Sequence, residues 1–220
     1  MKITVQQLAG MIDHTMLKIE AKYSDIEKLC LEAEKYHFVA VAIHPVNVPL
    51  AAKMLKGTGV KVCVALSFHL GAYPPDIKEF ECRDAVKNGA DELDMVMNIG
   101  ALKAGSYDVI RKEVDGLVRA ADGRTTKLIL ETCLLTDEEK VKACEIAKVG
   151  GVDFVKTSTG FSSLGATVSD VRLMRQTVGP KMGVKASGGI RTLEAALDVV
   201  EAGADRLGVS ASVEIINGFR

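Results

Sequence analysis

Apolar residues in this chain come in short unbroken runs, and each run gives way to a longer stretch of helical spacing. The clearest runs are Phe38-Val39-Ala40-Val41-Ala42-Ile43, Lys61-Val62-Cys63-Val64-Ala65-Leu66 and Lys127-Leu128-Ile129-Leu130-Glu131-Thr132. A strand with water on one face alternates apolar and polar positions; a strand covered on both faces does not, and parallel sheets are covered on both. Shorter runs over 11–15, 91–97, 152–156, 182–185 and 204–209 read the same way and bring the strands to eight. Helices are predicted over 24–35, 46–56, 76–88, 104–121, 137–148, 166–177 and 192–202. A last helix ends by Asn217, and a short helical segment over 4–10 precedes the first strand. Ser24 with Glu27, and Thr136 with Glu139, have capping-box spacing, while Gly57, Gly89 and Gly203 stop the helices before them.

Eight strand–helix units in 220 residues leave about 27 residues per unit, with no linker or low-complexity stretch between them. That regularity predicts one domain over residues 1–220, an α/β fold of the (β/α)8 TIM barrel type with a short N-terminal helical segment. Gly-Ala-Asp recurs at 89–91 and 203–205, beside Gly-Gly-Val-Asp at 150–153, which marks one tight helix-to-strand turn used repeatedly. An open doubly wound sheet is the competing architecture; even spacing and a strong last strand favour closure.

Two of these strands end in lysine. Val152-Asp153-Phe154-Val155-Lys156 opens into Thr157-Ser158-Thr159-Gly160, and Met182-Gly183-Val184-Lys185 opens into Ala186-Ser187-Gly188-Gly189. Burial disfavours an ammonium, and a neutral amine is a nucleophile that forms a Schiff base with a carbonyl. Neighbouring parallel strands lie roughly 4.8 Å apart, so the two amines are expected close together, each depressing the other below the free value of about 10.4. Taken singly, either lysine also reads as a stem that carries its charge out to water.

A barrel of this type works from the C-terminal ends of its strands. Asp13, His14, His44, His69, Asp94, Glu131, Lys156, Lys185 and Ser210 fall there. An imine on Lys156 would act as an electron sink for breaking a neighbouring carbon–carbon bond, and Asp94 would relay protons through a bound water. Asp13 reads equally as an electrostatic partner of Lys185 or as a helix cap. Glu92, on the same side of its strand as Asp94, reads as a deep barrel ion-pair member, and Glu131 fits either role. The loops after the last two strands, Ser187-Gly188-Gly189-Ile190-Arg191 and Gly208-Val209-Ser210-Ala211-Ser212, let backbone N–H groups approach an anion, which points to a phosphorylated ligand. His44 and His69 offer the one alternative chemistry, a Zn²⁺ site, though without HxH or HExxH spacing. His14 and His69 are otherwise read as polar loop or pocket groups, and His37 as structural.

Composition narrows the partners. Twenty-eight basic and twenty-nine acidic residues give a net charge of -1, with few aromatics and no Trp, so neither nucleic acid nor an anionic membrane is expected. The five cysteines show no CxxC spacing and read as buried free thiols. No apolar run approaches the roughly 18 residues that span a bilayer. A cytoplasmic location follows as the expectation.

Ile12-Asp13-His14-Thr15, Glu92-Leu93-Asp94-Met95-Val96, Val155-Lys156-Thr157-Ser158-Thr159-Gly160, Val184-Lys185-Ala186-Ser187-Gly188-Gly189-Ile190-Arg191 and Arg206-Leu207-Gly208-Val209-Ser210 together resemble the motifs of the deoxyribose-phosphate aldolases, a family of class I aldolases. The resemblance runs in order along nearly the whole chain. It implies reversible cleavage of 2-deoxy-D-ribose 5-phosphate to acetaldehyde and D-glyceraldehyde 3-phosphate, without metal or organic cofactor, in a homodimer or homotetramer. It also implies that Lys156 forms the Schiff base, Lys185 lowers its pKa, Asp94 serves the proton relay and Asp13 supports Lys185. Gly160, Gly188, Gly189, Gly208 and Ser210 would hold the phosphate. Two positions depart from some family members: Phe161 stands where they have lysine, and Ala42 where they have cysteine. Another lysine-dependent barrel aldolase, or a phosphate-binding barrel that isomerises or only binds, are the other functions in view.

Overall fold

The computed structural model describes residues 3–219. Eight parallel strands close on themselves in chain order, the first pairing with the eighth. They are β1 (Ile12–Thr15), β2 (Ala40–Ile43), β3 (Lys61–Leu66), β4 (Glu92–Val96), β5 (Thr125–Ile129), β6 (Phe154–Lys156), β7 (Gly183–Ser187) and β8 (Arg206–Val209). The predicted (β/α)8 barrel is therefore the observed one, and the open sheet is excluded. A short α1 (Val5–Ala9), capped by the Thr4–Gln7 box, leads into β1.

The outer helices are α2 (Tyr23–Tyr36), α3 (Val48–Met54), α4 (Pro75–Lys87), α5 (Ile99–Lys103), α6 (Tyr107–Ala121), α7 (Asp137–Val149), α8 (Val168–Val178), α9 (Leu193–Glu201) and α10 (Ser212–Asn217). Three differ from expectation. The cap of α2 is not Ser24: the backbone N–H of Lys22 donates to Asp25 at 2.8 Å, so the cap sits two residues earlier and Ser24 lies inside the helix. The helix expected over 104–121 begins only at Tyr107, and a short α5 not expected from the sequence precedes it, with Gly105 at φ +69° separating the two. The helix expected over 46–56 opens instead with a 3₁₀ turn, Pro45–Asn47. The Thr136–Glu139 box caps α7 as its spacing predicts.

Strand parity sorts the side chains. Leu93 and Met95, Val41 and Ile43, and Val184 and Ala186 point outward into a shell of apolar residues packed beneath the helices. Among the inward positions Ala40, Ala42 and Cys63 form only a minor apolar patch. Buried around them are Asp13, Glu92, Asp94, Lys127, Lys156 and Lys185. Such interiors are usually filled by branched aliphatic side chains. Here packing is set outside the barrel and charge is collected inside it.

One ion pair outside the barrel fixes a strand end. Lys78 of α4 donates to the Val96 carbonyl and meets Glu113 of α6, both at 2.8 Å, while Glu113 also accepts from the Asn98 N–H at 3.0 Å. The end of the strand that carries Asp94 is thereby pinned between two helices.

Candidate active site

Lys156 and Lys185 are register partners on β6 and β7, so their stems leave the sheet side by side. Both ammonium nitrogens reach one oxygen, Oδ2 of Asp94, at 2.9 and 2.7 Å. Lys185 also donates to Asp13, and Gly208 gives its stem room, since a Cβ there would sit 3.0 Å from the Lys185 Cε. The other Asp94 oxygen takes Lys127 at 2.7 Å, and Lys127 bonds Glu92 at 2.6 Å. Arg206 closes the network, donating to Asp13 at 2.6 Å and to Glu92 at 3.1 Å.

Counting charges shows which amine is free to lose its proton. Among the described residues the lumen holds three carboxylates, Asp13, Glu92 and Asp94, against four cations, Lys127, Lys156, Lys185 and Arg206. Three cations have carboxylates to match; one does not. Burial works against the charged form of each lysine, but Asp13 and Asp94 more than offset it at Lys185, and Asp94 with Glu92 does so at Lys127, so both are held above their ordinary range. Arg206 is raised as well, with Asp13 and Glu92 outweighing burial. Lys156 alone goes down: burial and the Lys185 charge outweigh its one contact with Asp94. The mutual depression expected of the two lysines is thus one-sided, because Lys185 has two carboxylates and Lys156 shares one. Asp94, facing three lysines, lies well below the usual carboxylate range despite its burial, and Asp13 falls to about 2.

The amine opens on a cavity of about 420 Å³. Gly160, Gly188, Gly189, Gly208 and Ser210 all line it, as do Lys18 and Arg191. Gly188, at φ +81°, packs its Cα face against Gly160 and Gly165; a Cβ would meet their Cα atoms at 3.2 and 3.0 Å. Backbone at this density presents N–H groups rather than side chains to a ligand. Glu131 of the β5 loop, in the left-handed region at φ 56°, accepts from the N–H and hydroxyl of Thr159 and so holds the Thr159–Gly160 turn.

Other expectations settle differently. Asp13 is no helix cap; both its oxygens are taken by Lys185 and Arg206. His14 faces out of the barrel, with Ser212 at 2.8 Å and Glu32 at 3.0 Å, and is no group of the Lys156 cavity. His44 spends Nε2 on the Leu17 carbonyl at 3.0 Å, and His69 stacks on Phe161 at 5.3 Å, with the Phe68 ring against both imidazoles. They do not converge as a Zn²⁺ pair. Ligand atoms of Asp13, Cys63 and Glu92 do lie within 4.8 Å of one another, but Lys185, Lys127 and Arg206 occupy them with N–H donors. Lys127, Arg206 and Lys18 were not singled out by sequence. Lys127 opens the apolar run read from the sequence and Arg206 begins β8, positions where a charge normally meets water, and only closure of the barrel encloses them.

A closed parallel barrel with its charged side chains gathered beneath a cavity at the C-terminal ends of the strands has the architecture of the (β/α)8 enzymes. The chain belongs to the DeoC/LacD family of aldolases, whose profile matches residues 8–218. It is 59% identical to a deoxyribose-phosphate aldolase of Clostridium perfringens (strain 13 / Type A), over 97% of this chain and 96% of that one. A Streptococcus sanguinis (strain SK36) protein of the same name is 57% identical over 94% of each. Among solved structures, the tetrameric deoxyribose phosphate aldolase of Aeropyrum pernix superposes with a TM-score of 0.92 at 34% identity, covering 98% of this chain and 92% of that one. An aldolase designated QR15 gives 0.92 at 40% identity, covering 96% and 95%.

Proposed function

We propose that the chain, as one barrel domain, cleaves 2-deoxy-D-ribose 5-phosphate reversibly to acetaldehyde and D-glyceraldehyde 3-phosphate, serving deoxyribonucleotide breakdown. The observation that carries this reading is the unmatched Lys156 amine at the floor of a glycine-lined cavity. The names of the relatives support the substrate.

In the cleavage direction the neutral Lys156 nitrogen adds to the C1 carbonyl of the open-chain sugar, and loss of water leaves a protonated imine. The C2–C3 bond then breaks, its electron pair moving into the imine to form an enamine, while the C3 hydroxyl gives up its proton and becomes the aldehyde of glyceraldehyde 3-phosphate. Protonation of the enamine carbon and hydrolysis release acetaldehyde and restore the amine. Asp94 touches both amines through one oxygen, so it is the group that relays a proton between a bound water and the reacting carbon. Lys185 remains the ammonium that keeps Lys156 neutral, with Asp13 holding it in place. Backbone N–H groups around Gly160, Gly188, Gly189 and Gly208, with the Ser210 hydroxyl, take the phosphate.

We further propose a cytoplasmic homodimer or homotetramer; in support, all five cysteines are free, and a tetramer is described for the Aeropyrum pernix protein. No helix among the described residues is long and apolar enough to cross a membrane. The test is acetaldehyde release from 2-deoxy-D-ribose 5-phosphate beside ketose phosphates and keto acids. Preference for the deoxyribose phosphate by orders of magnitude supports the reading, and preference for a ketose phosphate or a keto acid overturns it.

A further inference from the structure

Glu92 and Arg206 line no part of the cavity, and neither bonds Lys156. They sit at the starts of β4 and β8, where the Arg206 guanidinium lies over the Phe154 ring at 5.6 Å. Two chains of ion pairs nevertheless connect them to the amine. One runs from Arg206 through Glu92, Lys127 and Asp94 to Lys156. The other runs from Arg206 through Asp13 and Lys185 to the same Asp94 oxygen. Each carboxylate in these chains is shared between cations, so removing one charge redistributes the demand on all the rest. In a buried site the field of a charge reaches well beyond its own contacts.

We propose that Glu92 and Arg206 are positioning residues that set the protonation of the Lys156 amine from the opposite end of the barrel, by fixing the charge count of the lumen. The proposal rests on the reading of Lys156 as the nucleophile. Around that amine stand Asp94 from β4, Lys185 from β7 and Cys63 from β3, with Lys127 from β5 and Asp13 from β1 one ion pair further off. Glu92→Gln leaves two carboxylates against three permanent cations, so the amine is driven further toward neutrality. Arg206→Gln leaves three carboxylates against two permanent cations, so the amine is recruited as the third. β4 and β6 are two strand spacings apart, about 10 Å, and a unit charge at that distance with an effective dielectric of about 20 moves a titration midpoint by roughly one pH unit.

The test is the pH dependence of borohydride-trapped acetaldehyde adduct on Lys156, read by peptide mass mapping in the full chain. It compares the parent with Glu92→Gln, Arg206→Gln, Arg206→Lys and the double variant Glu92→Gln/Arg206→Gln. The midpoint should fall by roughly one pH unit in Glu92→Gln and rise by roughly one in Arg206→Gln. It should stay at the parent value in Arg206→Lys and return close to it in the double variant, which restores the count. A merely structural role predicts the opposite for the double variant: the lowest trapping of the set, with no recovery. Unmoved midpoints in both single variants, movement in the same direction, or a double variant worse than either single overturn the proposal. If the parent forms no adduct on Lys156 at any pH, it is the reading of Lys156 as the nucleophile that fails.

Discussion

The two faces of one sheet follow opposite rules. Outward from the strands, Leu93, Met95, Val41, Ile43, Val184 and Ala186 pack against helices without a polar atom among them. Inward, Asp13, Glu92, Asp94, Lys127, Lys156 and Lys185 are nearly as dry, yet nearly every contact is ionic. The outer face buys stability through apolar area removed from water. The inner face gives part of it up, because dehydrating ions is costly even when they are paired. What is gained is a lysine whose amine is held below its ordinary range, something an apolar interior cannot arrange with the same control. Stability and reactivity are separated by strand parity, one residue apart along each strand.

That separation predicts which substitutions matter for which property. Lys156→Ala should lower turnover by at least about 10⁴-fold, since a covalent nucleophile is lost, with the thermal midpoint unchanged or raised, as read by steady-state assay beside calorimetry. A phosphate-binding barrel that uses another chemistry would keep its activity in that variant. Leu93→Ala, on the opposite face of β4, should do the reverse. It should lose about 2–5 kcal/mol of unfolding free energy in urea, with kcat of the folded protein within a few-fold of the parent. If Leu93→Ala abolished turnover while staying folded, the division between the faces would be wrong.

Acid sharpens the same contrast. The Asp13 carboxyl falls to about 2 in the fold, below its unfolded value near 4, so the folded state favours the ionised form. Its contribution is complete above about pH 4 and is lost as pH falls toward about 2. Urea midpoints measured across that window should drop more steeply for the parent than for Asp13→Asn, which starts less stable and titrates less. A variant with the parent's slope would mean that Asp13 is not held by Lys185 and Arg206 in solution.

The smallest effect concerns the thiols. Burial pushes Cys30 up to about 11 and Cys63, Cys82 and Cys144 up to about 12, while Cys133 is only partly buried. Iodoacetamide at neutral pH should therefore mark Cys133 first in the native protein. With Ala42 in the barrel interior instead of a cysteine, prolonged acetaldehyde should inactivate the enzyme slowly, and Ala42→Cys should shorten its half-life. Equal half-lives would remove Ala42 from the account.

Much of this was readable from sequence because the relevant signals are local. Unbroken apolar runs ending in Lys156 and Lys185, each followed by glycine, announce buried parallel strands with charges at the rim. Asp94 and Glu92 share a side by simple alternation. The misses arise where closure, not local pattern, decides. Lys127 and Arg206 resemble ordinary solvated strand starts until the ring of eight strands shuts around them. The one-sided response of the lysine pair depends on Asp13 and Asp94 arriving from β1 and β4, distant in sequence. The early start of α2 turns on one hydrogen bond from Lys22 to Asp25, and the break at Gly105 on one positive φ angle.

By charge count Lys156, of the lysines inside the barrel, is the one expected to react. Borohydride reduction in the presence of acetaldehyde, followed by peptide mass mapping, tests it directly. A single ethyl adduct on Lys156, with Lys127 and Lys185 unmodified, is the predicted result. An adduct on Lys185 or Lys127, or no adduct on a protein that still turns over, would contradict it.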